Sequence, residues 1–164
     1  MKAAKSPIPE GFHTVTPTLT LRNAAEAVEF YKKALGAKER VRMTGPDGKI
    51  LHGELQIGDS IIFFGEEMPN MGNKSPLTLG GASGGLYLYV ADVDKLFQQA
   101  IRAGGKEKMP VTDMFWGDRS GQFTDPYGYT WGIATHTKDM TEEEIRQGQD
   151  AFFAQMSQAQ RKSA

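Results

Sequence analysis

No cysteine occurs among the 164 residues, which excludes disulfides, thiolate metal sites and a cysteine nucleophile. A reducing compartment is permitted, and the chain reads as cytoplasmic. No uninterrupted apolar run approaches the roughly 20 residues that cross a bilayer, and the opening MKAAKSPIPEGF lacks the apolar stretch of a signal peptide. Charge of one sign is also lacking: the formal net charge is −1. No broad basic field is available, so neither nucleic acid nor an anionic membrane is expected as a partner. What is present is ordinary for a folded chain, with 39% hydrophobic and 24% charged residues, so wholesale disorder is not expected.

The order of elements is the most informative pattern. Thr14–Leu21 alternates with period two, placing Thr16, Thr18 and Thr20 opposite Pro17, Leu19 and Leu21. Asn23 is a helix N-cap candidate before AAEAVEFYKKAL, which Gly36 ends. Ala24, Ala27, Val28, Tyr31 and Leu35 share one helical face. Val41–Met43, Leu51–Ile57 and Ser60–Phe64 follow as strands, joined by turns at 45–48 and at Gly58-Asp59. In the second strand Leu51, Leu55 and Ile57 are expected to face the core, with His52, Glu54 and Gln56 opposite. Residues 66–84 look like a connecting loop, with Glu66 and Glu67 as a solvated pair.

The pattern then restarts. Leu86, Leu88 and Val90 alternate with Tyr87 and Tyr89, and Asp92 caps a helix carrying Val93, Leu96, Phe97, Ala100 and Ile101 on one face. Strands at 108–111, 121–124 and 129–135 complete a second βαβββ unit, with a turn at Asp125-Pro126-Tyr127-Gly128. A shift of 69 residues, which carries Leu21 to Val90, also carries Gly36 to Gly105 and Ala34 to Ala103. A repeat of this kind means that neither unit buries its sheet alone. The expected organisation is α+β: a first module over 13–67, a connector over 68–84, a second module over 85–137 and a C-terminal helix over 138–164. Thr141 with Glu144 forms a capping box worth about 1 kcal/mol. The helix carries Ile145, Phe152, Phe153 and Met156 as an apolar stripe, expected to dock on its own sheet or, slightly favoured, on a second subunit.

These residues resemble a known family. Leu19-Thr20-Leu21-Arg22-Asn23 with Phe30-Tyr31 and Leu35-Gly36 is similar to the first strand and helix of the vicinal oxygen chelate superfamily. Leu88–Asp94 resembles the start of its second module, and Asp125–Gly128 followed by Trp131 resembles its last hairpin. Asp113–Arg119 resembles the PhnB-type branch grouped with glyoxalase and bleomycin-resistance proteins. The resemblance covers about residues 13–136. It implies a cupped, eight-stranded mixed sheet around a ligand cavity, with the modules paired within one chain or swapped between two. It leaves the chemistry open, since members include glyoxalases, extradiol dioxygenases, epimerases, thiol transferases and drug binders.

The family's enzymes hold a divalent ion through one residue on the first and one on the last strand of each module. Those positions fall here on Thr16, Phe63 (or Phe64 with a one-residue slip), Gly85 and Gly132. Three of the four offer no side-chain donor, so neither the family metal nor any other cofactor is expected. Strand parity places Thr16, Thr18, Thr20, His52, Glu54, Gln56, Tyr87, Tyr89, Gln122 and Thr124 on the cup face. The candidate ligand-binding set is His52, Glu54, Tyr87, Tyr89, Trp116, Arg119 and Gln122. His52 and Glu54 are either a general acid/base pair or a hydrogen-bonded couple on a solvated face. Trp116 either stacks on a flat ligand or plugs the sheet edge. Arg119 either holds an anionic group or pairs with Asp118. His13 and His136 lie near the module ends and are expected to be exposed. The leading expectation is a homodimeric, metal-independent binder of a small organic molecule. Two readings stay open beside it: a metal-dependent lyase, isomerase or dioxygenase whose relocated divalent ion uses His52 and Glu54, and a structural or regulatory homodimer.

Overall fold

A computed structural model describes residues 3–162, with side chains described to residue 158. The first module runs β1 (Thr18–Leu21), α1 (Ala24–Leu35), β2 (Lys38–Thr44), β3 (Ile50–Ile57) and β4 (Ser60–Glu66). The connector holds a 3₁₀ turn (Pro69–Met71) and the short α2 (Pro76–Leu79). The second module repeats the order: β5 (Gly85–Tyr89), α3 (Val93–Arg102), β6 (Lys106–Asp113), β7 (Asp118–Thr124) and β8 (Thr130–His136). The helix α4 (Glu142–Lys162) follows. Among the described residues, no helix is long and apolar enough to cross a membrane.

The eight strands lie in two four-stranded mixed sheets, ordered β1-β4-β3-β2 and β5-β8-β7-β6. In each, the first strand runs parallel to the last and the other pairs are antiparallel. One face of each sheet is covered by its helix, as the alternation requires: Leu19, Leu21, Leu55, Ile57, Ile62 and Phe64 are buried there in the first module. Phe123, Trp131 and Ile133 are buried in the second. Each such side chain contributes about 1.5–3 kcal/mol on full burial.

The modules meet through α1 and α3, which pack together, and their cores form one apolar cluster. Tyr31 of α1 is fully buried and packs 5.4 Å from the Trp131 ring. Its hydroxyl donates across the modules to Asp125 at 2.8 Å. Gln99 of α3 donates to the backbone carbonyls of Lys33 and Ala34. Tyr129 closes the seam elsewhere: its hydroxyl accepts from the Thr20 amide at 3.0 Å and donates to the Thr20 carbonyl at 3.1 Å.

Several local expectations are revised. Ile50, rather than Leu51, takes the core position: Leu51 is 49% exposed because the β2–β3 register shifts between Met43 and Thr44. Asn23 occupies the N-cap site but in a left-handed conformation (φ 61°), with no side-chain cap. The cap comes from Glu66, whose two carboxylate oxygens accept from the Asn23 and Ala24 amides at 2.9 and 2.8 Å. Glu67 is not a solvated neighbour either. It accepts from Arg22, from the amide and hydroxyl of Ser75, and from Thr78, which ties the connector to β1. Asp92 caps α3 through the Lys95 amide at 2.9 Å, and the Thr141–Glu144 capping box forms. Among the described residues, α4 meets the loop between β6 and β7. Gly148 lies against Phe115, which also meets Phe152 at 5.7 Å, and Phe152, Phe153 and Met156 stay partly exposed.

Candidate functional site

The face of each sheet turned away from the helices is open, and it carries most of the expected candidates. On the first sheet the cross-strand pairs Val41–Glu54 and Met43–His52 put His52 and Glu54 on this open face. They are not bonded to each other. His52 packs edge-on against Phe63 at 4.9 Å, and Glu54 pairs with Arg40 at 3.7 Å. Phe12 lies over the same patch, 5.6 Å from Phe63 and beneath the Arg40 guanidinium. Gly11 approaches Ile61, the neighbour of Phe63 in β4, and Ile61 is only 4% exposed. The N-terminal segment therefore forms part of this face, which strand parity did not anticipate.

On the second sheet Tyr87 lies over Gly132, so close that a Cβ at 132 would fall 2.4 Å from the ring. Tyr87 and Tyr89 meet edge-to-face at 5.4 Å. Both border a cleft of about 600 Å³ that separates them from the β3–β4 turn at Gly58 and Asp59. Gln122 pairs with Gly132 in register and lies half-buried on the same face.

On this face a polar cluster is centred on Asp118. Its side chain is 3% exposed, and its carboxylate accepts from Tyr89 Oη at 3.0 Å, Trp116 Nε1 at 3.0 Å and His136 Nδ1 at 2.8 Å. Asp118 and His136 are register partners across β7 and β8, so the ladder itself sets the pair. The other imidazole nitrogen, Nε2, lies 3.0 Å from Asp139. Burial opposes the charge on Asp118, but the hydrogen bonds from His136, Tyr89 and Trp116 prevail and hold its carboxyl below the usual range. The same contacts raise the His136 pKa, through Asp118 first and Asp139 second. The Tyr89 hydroxyl is also raised, mainly by its bond to Asp118.

Arg119 does not belong to this face. Alternation turns it to the helix side, where it pairs with Asp94 at 2.7 Å and Asp113 at 3.1 Å. Two carboxylates satisfy the guanidinium, so the expectations of an anion-holding Arg119 and of an Asp118–Arg119 pair are both corrected. Asp118 and His136 could have been found from the sequence. The turn after Thr124 sets Thr124 opposite Thr130, and counting outward along both strands brings Asp118 to His136.

Of the expected residues, the structure joins Tyr89 and Trp116 on one carboxylate and keeps Tyr87 beside them. No hydrogen bond or ion pair among the described residues links this group to His52 and Glu54. The four positions that the resemblance assigns to the family metal carry side chains that do not suit a divalent ion. Phe63 presents a ring packed between Phe12 and His52, Gly132 lies under Tyr87, Gly85 has no side chain, and Thr16 has a neutral hydroxyl. No group of three or more His, Asp or Glu that could hold a metal occurs among the described residues.

Paired βαβββ modules with open sheet faces define a class of two-module α+β proteins. The chain belongs to the Glyoxalase/Bleomycin resistance protein/Dioxygenase superfamily, whose sequence profile matches residues 12–133. Uncharacterized protein Mb0911c of Mycobacterium bovis is 38% identical over 135 residues, covering 80% of this chain and 89% of that protein. Among solved structures, the gene product AT5G48480 of Arabidopsis thaliana is 26% identical with a TM-score of 0.61, covering 75% of this chain and 98% of the other. The PhnB protein of Bacillus cereus, described as a putative 3-demethylubiquinone-9 3-methyltransferase, is 16% identical with a TM-score of 0.58. It matches over 75% of this chain and 99% of its own, a likeness of fold alone.

Proposed function

We propose that the protein binds a small organic molecule against the open sheet faces, without a divalent metal, and works as a homodimer. The observation that carries this reading is the set of aromatic side chains left standing on the second sheet's face. Tyr87 is 48% exposed, Tyr89 66% and Trp116 37%, beside Gln122 and the Asp118 cluster. Rings with fixed polar neighbours suit a ligand that is flat, partly apolar and hydrogen-bonding. The metal-free part rests on Thr16, Phe63, Gly85 and Gly132, which supply one neutral hydroxyl between them. The homodimer rests on uncovered apolar surface: Val41 and Met43 stand exposed on the first sheet's open face, and Phe153 and Met156 on α4. The reading includes a cytoplasmic location, which a cysteine-free chain permits.

Thermal-shift measurements on the full chain test the proposal, with a library of planar organic compounds in one arm and zinc, nickel, iron and manganese in the other. The expected result is stabilisation by organic compounds and none by the metals. Stabilisation by a stoichiometric metal alone overturns the reading. Sedimentation equilibrium tests the homodimer, and a monomer at micromolar concentration refutes that part.

A further inference from the structure

The Asp118 cluster ends at the surface in His136. The His136 side chain is half exposed, and among the described residues its Nε2 is met only by Asp139, a residue as accessible as in an extended chain. The other nitrogen is fixed by the buried Asp118 carboxylate, so the ring cannot turn without breaking a charge-assisted bond. Trp116 is held in the same way: its Nε1 donates to Asp118, its ring meets Phe115 edge-to-face at 4.9 Å, and it remains partly open. Tyr89 donates to the same carboxylate and turns its ring to the inter-module cleft. One buried acid thus orients an imidazole, an indole and a phenol on a single sheet face.

We propose that His136 is the contact point for the carboxylate of a planar organic acid, which exchanges for Asp139 on Nε2. This deepens the small-molecule reading above and rests on it. Asp139 shows which group the position accepts, since it is itself a carboxylate bound through one hydrogen bond. The exchange keeps the local charge: one carboxylate leaves the imidazole and another arrives. The incoming one brings an aromatic body that lies against Trp116 and Tyr89, which the Asp139 side chain cannot do. Asp118 is a positioning residue in this scheme, acting through the His136 ring.

The test uses the full chain, with benzoate as probe and benzamide as its neutral isostere. Calorimetry measures affinity, and imidazole ¹⁵N spectra follow His136. Benzoate is expected to perturb the His136 Nε2 resonance and to bind more tightly than benzamide. Asp139→Asn, at an exposed position outside the strands, removes the competing carboxylate and is expected to tighten benzoate severalfold. His136→Gln is expected to weaken benzoate about tenfold, the scale of one hydrogen bond to a charged group, and to weaken benzamide, whose carbonyl is a neutral acceptor, by less. The proposal is overturned if benzoate binds the wild type and His136→Gln equally, or if Asp139→Asn leaves its affinity unchanged. Either result with benzamide still bound keeps the small-molecule reading and removes only the carboxylate subsite. Failure of both probes, together with a flat organic-library screen, removes both.

Discussion

Replacing Tyr31 with Phe deletes one oxygen from one of the hydrogen bonds that tie the modules together. The ring stays, and with it the contacts to Phe30, Tyr127 and Trp131. What is lost is the 2.8 Å hydrogen bond to Asp125, a residue 5% exposed whose carboxylate also accepts from Trp131 Nε1 and the amides of Tyr127 and Tyr129. A buried hydrogen bond to a charged group is worth about 1.5–3 kcal/mol. At about 2–4 °C per kcal/mol for a chain of this size, Tm should fall by roughly 3–12 °C. The pH dependence gives a second reading. Burial, then the nearby Asp125 charge, pushes the Tyr31 hydroxyl well above its usual 10. The folded state therefore holds this proton more tightly than the unfolded chain. Its contribution is complete below about pH 10 and is lost as pH rises above that value. Tyr31→Phe should reduce the alkaline loss of stability that the wild type shows. Urea unfolding at pH 7 and at pH 10.5 measures both effects, and a double-mutant cycle with Asp125→Asn isolates the pair. A loss below about 0.5 kcal/mol at pH 7, or no coupling in the cycle, refutes the reasoning.

Four further outcomes are expected. Gly53→Ala should cost about 1–3 kcal/mol by overpacking, because its Cβ would fall 2.1 Å from the buried Phe64 ring; denaturant midpoints check this. Glu66→Ala should cost about 0.5–2 kcal/mol through loss of the α1 cap, whereas Asn23→Gly, at φ 61°, should be neutral or stabilising. Glu67 has its pKa lowered to about 2, chiefly by the Thr78 hydroxyl, then by the Ser75 amide and Arg22. Its contribution is complete above about pH 4.5 and lost as pH falls through 2, so Glu67→Gln should flatten the acid limb of the stability profile.

The sequence by itself determined the element order, the repeat and the side of each sheet that meets a helix. These follow from backbone periodicity and from caps such as Asp92 and Thr141, which act over a few residues and are written locally. It also placed His52, Glu54, Tyr87, Tyr89 and Gln122 on the open faces, because parity along a strand is a local property. Parity also sends Arg119 to the helix side, and it is Asp94 on a different element that completes its pairing there. Tertiary structure decided where the polar groups that pair between elements find their partners. Glu66 and Glu67 look solvated in the chain, yet they cap a helix and anchor the connector, since their donors lie 8–45 residues away. The Asp118–His136 pair exists through the β7–β8 register, and Tyr89 and Trp116 join it only because β5 and the 114–117 loop border the same face. Phe12 against Phe63 is likewise a matter of where the N-terminal segment lies. A hydrogen bond depends on distances of tenths of an ångström between distant elements, and no local pattern encodes those distances.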